Sequence, residues 1–176
     1  KPSSAASDVY KRQPSGFGKS TLGKVMAGYL KTKRGTVSVD GREINDLKGF
    51  LPVQMVHQAP EKNVNIRRKV EKILNEGWQV SSDVREKVGI EDNFLKKFPT
   101  ELSGGELQRI CLARVLSPKT KYLIADEVTT MLDSITQAQI SHLLSHFAKE
   151  HGLGILFISH NEALLEKISD RSVDLK

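Results

Sequence analysis

The stretch KRQPSGFGKSTLGK, residues 11–24, constrains what this chain can fold into more than any other. It closes on Gly18, Lys19 and Ser20, the end of the loop pattern G-x-x-x-x-G-K-[ST], in which a glycine-rich turn leads from a buried strand into a helix and wraps backbone N–H groups around a phosphate. The pattern puts its first glycine at position 13, where this chain has Gln13. The residues before it, KPSSAASDVYKR, hold no apolar run, so no strand is expected ahead of the loop.

After the loop the elements alternate. STLGKVMAGYL spaces Leu22, Val25, Met26 and Tyr29 as one face of a helix. In GTVSVDGREI, Val37 and Val39 alternate ahead of an Asp40-Gly41 turn, which predicts a short strand of an antiparallel pair without naming its partner. LPVQMVHQAP reads as an apolar strand closed by a proline. Residues 61–100 are charged and helical in pattern (VEKILNEGW, SSDVREKVGI, NFLKKF) and read as a helical insertion. Ser103 or a neighbour is expected to cap a helix with Leu107, Ile110, Cys111 and Val115 on one face, ended by Pro118. KYLIADE and GILFISH read as buried strands, and between them SITQAQISHLLSHFAKEHG reads as a helix from a serine cap to Gly152 with Ile140, Leu143, Leu144 and Phe147 inward. Strands apolar throughout and separated by helices imply a mainly parallel sheet covered on both faces.

Composition narrows the function classes. The net charge of +6 comes from interleaved signs, as in EKNVNIRRKVEKILNEG, which marks a solvated face, and no nucleic-acid partner is expected. No apolar stretch approaches the roughly 20 residues that a membrane-spanning helix needs. The lone Cys111 lies on an apolar helical face and reads as core. His142, His146 and Glu150 share one helical face, and without a further ligand they read as solvated residues.

Three segments carry chemistry. Ser15, Gly16, Gly18, Lys19, Ser20 and Thr21 form the phosphate loop: their backbone N–H groups meet a β-phosphate, Lys19 reaches the β- and γ-phosphates, and the Ser20 hydroxyl can bind Mg²⁺. In KYLIADE the strand delivers Asp126 to its C-terminal end, where it can hold Mg²⁺ through water. The adjacent Glu127 is placed to polarise an attacking water as general base. In LSGGELQR, residues 102–109, a serine hydroxyl and two glycines open a helix and make a second anion site, and because a domain needs only one such loop per nucleotide, the second must serve another molecule.

On these motifs the sequence resembles the ATP-binding cassette (ABC) ATPases, whose signature LSGGQ corresponds to Leu102 to Glu106 here, Glu106 standing where most members have glutamine. The resemblance implies an α/β fold: a P-loop NTPase core with a mainly parallel sheet (14–58 and 119–176) and an inserted α-helical signature subdomain (59–118). It implies ATP and Mg²⁺ as cofactors, with Gln58 of QMVHQAP contacting Mg²⁺ and the attacking water. It further implies that Asp133 of TTMLD lies in the D-loop and that His160 of FISHN is the switch histidine at the γ-phosphate. Ser103, Gly104, Gly105 and Glu106 of one subunit would close over ATP held by a second ABC ATPase subunit, and transmembrane permease subunits would complete a transporter. The expected location is the cytoplasmic face of a prokaryotic cell membrane.

Within that family, QMVHQAPEKNVN and IADEVTTMLDSITQAQI are similar to the peptide/nickel importer ATPases. The alternative is a soluble ABC ATPase of DNA repair or translation, disfavoured by the short interval between Lys19 and Ser103. Against the family pattern, residues 1–13 are expected to be a leader foreign to the domain. They resemble translated vector or adapter sequence, which would make Gln13 a junction residue and exclude Tyr10 as an adenine-stacking aromatic.

Overall fold

The computed structural model describes residues 7–11, 18–129 and 132–174. In chain order the elements are strand β1 (Ser7–Lys11), helix α1 (Lys19–Met26), strands β2 (Ser38–Val39), β3 (Arg42–Glu43) and β4 (Val53–Val56), and helices α2 (Val70–Leu74), α3 (Ser82–Val88), α4 (Asp92–Leu95) and α5 (Gly104–Val115). Strand β5 (Tyr122–Asp126), helix α6 (Ser134–His151), strand β6 (Gly154–Ile158), helix α7 (Glu162–Ile168) and strand β7 (Arg171–Asp174) follow.

A five-stranded sheet in the order β4-β5-β6-β1-β7 is parallel at every pairing. Parallel strands with both faces covered have no solvent side, which is why Leu123, Ile124 and Ala125 of β5 are apolar in succession and at most 1% exposed. Leu123 and Ala125 join the core beneath α5 and α6, and Ile124 joins a second core with Met55, Ile158 and Ala27. Helices α2 to α5 all fall between β4 and β5, so the helical insertion separates two neighbouring strands. Trp78 Nε1 ties the insertion together by donating to the Arg114 carbonyl at 3.0 Å, and the Arg114 guanidinium pairs with Glu76 at 2.7 Å.

Four features differ from the sequence expectation. First, a strand does precede the loop: β1 pairs with β6 (Ser7 opposite Ile155) and with β7 (Asp8 opposite Arg171). Parallel pairing uses main-chain N–H and C=O groups that every residue but proline carries, so a segment flanked on both sides is held without an apolar pattern. Second, the hairpin partner of β2 is β3, across a turn in which Asp40 and Gly41 have φ of 52° and 77°, the mirror-image turn that suits twisted strands. Third, α1 ends at Met26, where the N–H groups of Gly28 and Tyr29 close back on Val25 and Lys24, leaving Tyr29 half exposed. Fourth, α6 is capped by Asp133 and not by Ser134. The Asp133 carboxylate accepts from the backbone N–H groups of Ile135 and Thr136, both at 3.0 Å, and from the Thr136 hydroxyl at 2.6 Å.

Helix α1 approaches the sheet closely because position 23 has no side chain. A Cβ there would lie 3.2 Å from Ile124 and Met55 and 3.3 Å from Ile158. Gly23→Val is therefore expected to lower stability by about 1–3 kcal/mol through overpacking, measured as a shifted midpoint at constant slope in urea unfolding.

Candidate functional site

The C-terminal ends of β5 and β6 and the N-terminus of α1 converge. Gly18 is the N-cap of α1 at φ 81°, a left-handed conformation that favours glycine, and the first helical turn holds no acidic residue. The positive end of α1 thus has no side-chain cap and no acidic residue of its own in the first turn, an arrangement that suits an anion. Lys19 is 9% exposed, and Ser20 and Thr21 line the exposed side of the same turn. Ser15 and Gly16 lie outside the described residues.

The Ser20 hydroxyl donates to Asp126 Oδ1 at 3.0 Å, across 106 residues of sequence. Asp126 is buried at the end of β5, opposite Ile158 of β6. Two hard oxygen donors are thereby brought together, the donor set that Mg²⁺ prefers. Glu127 follows with φ of 52°, left-handed for a residue with a Cβ, and its N–H donates to the Ile158 carbonyl at 2.8 Å. Such backbone outliers are held by their surroundings and cluster where side chains have chemical work. The turn aims the buried Glu127 carboxylate at the half-exposed His160, whose Nε2 lies 3.4 Å from Oε1. His160 sits two residues beyond β6, so the sheet brings together Ser20, Asp126, Glu127 and His160 from distant parts of the chain.

The signature residues form a second cluster at the N-terminus of α5. The Ser103 hydroxyl accepts from the Glu106 N–H at 3.3 Å, and Glu106 Oε2 accepts from the Ser103 N–H at 2.6 Å, a reciprocal capping box. That bond holds the Glu106 carboxyl below its usual range. Gly104 is exposed, and a Cβ at Gly105 would meet Thr136 of α6 at 3.5 Å and Leu132 at 3.8 Å, so the signature turn packs on the segment that Asp133 caps. Thr136 also holds the Asp133 carboxyl below its usual range through its hydroxyl.

Gln58 is exposed, two residues beyond β4 on the edge where Asp126 lies. Its neighbour His57 was not singled out by sequence reading. Burial pushes the His57 imidazole down in pKa while the Asp126 carboxylate pulls it up, and the ring tilts 6.1 Å from that of Tyr29. Both rings line a cleft of about 730 Å³ between the core and the insertion, together with Phe50, Leu51, Cys111 and Arg114. Cys111 is buried, as its helical face predicts, and burial pushes its thiol up to about 11. Glu150 is engaged by Lys87 at 2.9 Å and by His146 at 3.5 Å.

A phosphate-accepting helix end, a buried aspartate bonded to the loop serine, and an adjoining carboxylate–histidine pair define a nucleotide-binding α/β domain. The family model for ABC transporters matches residues 14–130. The chain is 35% identical over 176 aligned residues to the oligopeptide transport ATP-binding protein OppF of Streptococcus mutans, which covers 89% of this chain and 57% of that protein. It is 36% identical to the oligopeptide transport ATP-binding protein AmiF of Streptococcus pneumoniae, over 89% of this chain and 58% of that one. The glutathione import ATP-binding protein GsiA of Pectobacterium atrosepticum is 33% identical over 89% of this chain and 28% of its own length. A dimeric ATP-binding cassette bound to ADP and Pi superposes with a TM-score of 0.80 at 24% identity, over 99% of this chain and 82% of that one, and shares the fold. The chain belongs to the ABC transporter family, and it spans a little over half the length of its oligopeptide-transport relatives.

The capping box gives a pH signature. Because the folded pKa of Glu106 is depressed, its stabilisation is complete above the ordinary value of 4.5 and is lost as pH falls through the folded one. Thermal unfolding followed from pH 7 down to pH 3 should show the parent more stable than Glu106→Gln at pH 7 and losing stability more steeply below pH 4.5, so that the gap narrows as pH falls.

Proposed function

We propose that this chain is part of the ATP-binding and ATP-hydrolysing subunit of an ABC transporter, of the peptide-importer type that its relatives' names describe. The observation that carries the reading is the Ser20–Asp126 hydrogen bond, which joins the phosphate loop to the strand end where Glu127 begins. Ser20 and Asp126, with Gln58 on the same edge, would hold Mg²⁺. Bound there, the ion supplies positive charge to the terminal phosphates of ATP and fixes their orientation.

The protein's own groups do the rest. The bare N-terminus of α1 and the Lys19 ammonium bind the phosphates. Glu127 accepts the proton of the water that attacks the γ-phosphate, and His160, 3.4 Å from Glu127, orients that carboxylate and contacts the γ-phosphate. Ser103, Gly104, Gly105 and Glu106 present their helix end to ATP held by a second subunit, with Asp133 at the same face, so that binding closes a dimer and hydrolysis releases it. On this reading a cytoplasmic helix of the permease docks in the cleft lined by Tyr29, Phe50, His57 and Arg114, and the subunit lies peripherally at the cytoplasmic face of the membrane. Among the described residues no helix is long and apolar enough to cross a membrane.

Glu127→Gln removes the proton acceptor and keeps its shape. ATP turnover should fall by roughly 10²–10⁴-fold while ATP affinity stays near the parental value, read by phosphate release and by equilibrium titration with a fluorescent ATP analogue. Turnover at the parental rate would exclude Glu127 as the base.

A further inference from the structure

The segment between β5 and α6 begins at Glu127 and ends at Asp133, two residues on which the proposed function depends. Its ends are held by different elements: the Glu127 N–H by the Ile158 carbonyl of β6 at 2.8 Å, and the Asp133 carboxylate by the first turn of α6. Thr129 and Leu132 are held by a side chain that no motif contains. The Gln137 amide Nε2 donates to the carbonyl of Thr129 at 2.8 Å and to that of Leu132 at 3.0 Å. A primary amide has two N–H donors, so this pair of bonds uses both. The Leu132 N–H turns back onto the same Thr129 carbonyl at 3.1 Å, and the Gln137 N–H bonds the Asp133 carbonyl at 2.9 Å, which locks the staple to the helix start.

Thr129 is 5% exposed, so water cannot readily replace a partner lost by its backbone. Leu132 at the far end of the staple packs beside Gly105 of the signature turn. One amide thus ties Thr129, two residues past Glu127, to Leu132 at the signature contact.

We infer that Gln137 is a positioning residue for hydrolysis: its amide sets the placement of Thr129 and Leu132, which follow Glu127 and precede Asp133, and so governs turnover without contributing to nucleotide affinity. The inference rests on the function proposed for Glu127. The test compares the parent with Gln137→Met, which keeps the length and removes both donors, and with Gln137→Lys, which restores donors at that reach. Hydrogen–deuterium exchange of residues 128–136 and steady-state ATP turnover are read on the same preparations.

Gln137→Met should exchange those amides at least about tenfold faster and lower kcat by about 10- to 100-fold, with KM within about twofold of the parent. Gln137→Lys should return both readouts toward parental values. Parental exchange in Gln137→Met overturns the inference, and so does faster exchange with kcat unchanged. A parent that hydrolyses no ATP contradicts the proposed function instead, and the exchange comparison then decides the placement of Gln137 by itself.

Discussion

The Ser20–Asp126 hydrogen bond is where two separate parts of the fold become one site. It requires that α1 start on the residue before Ser20, and that β5 run parallel to β4 and β6 so that its C-terminal end faces the same edge. It also requires that α1 lie against the sheet at Gly23, since a larger residue there would lift the helix and separate hydroxyl from carboxylate. The apolar run of β5 serves this purpose: a strand buried on both faces cannot slip in register without misplacing its core residues, and Asp126 is the first polar residue beyond it.

On the proposed function, the N-termini of α1 and α5 both engage nucleotide phosphates, and they are built differently. That of α1 carries no side-chain cap and no acid in its first turn, which leaves its positive end uncompensated by its own side chains. That of α5 is closed by the Ser103–Glu106 box, which spends two of its donors internally and adds a negative charge at the positive end of the helix. A family member with glutamine in place of Glu106 would keep the box geometry without that charge. On the proposed function, α1 holds ATP by itself, whereas α5 engages ATP held by a second subunit.

Much of this was legible in the residues because the determinants are local. The phosphate-loop ending, the apolar runs of β4, β5 and β6, and a serine followed three residues later by Glu106 each state their structure within a few positions. What was not legible depends on partners distant in sequence. Strand β1 is polar and is held by main-chain pairing to β6 and β7, which no side-chain pattern announces. The alternation of Val37 and Val39 and the Asp40-Gly41 turn announced β2, but its partner β3 is two residues long and carries no pattern, and α7 and β7 lie in NEALLEKISDRSVD, to which no element was assigned from sequence. Asp133 and Ser134 are both good caps and stand side by side, so only the geometry of the carboxylate separates them. The Glu127–His160 pair was expected as two roles, but its 3.4 Å contact follows from the sheet. Gln137 left no signal because its partners are carbonyls, and carbonyls occur at every residue.

The central claim is that Ser20 and Asp126 form the metal-dependent part of an ATP site. Equilibrium ATP binding to the parent, Ser20→Ala and Asp126→Asn, each titrated with and without Mg²⁺, tests it most directly. Addition of Mg²⁺ should tighten ATP binding to the parent by at least about tenfold and change binding to either variant little. Parental affinity indifferent to Mg²⁺, or an undiminished gain in Asp126→Asn, would contradict it.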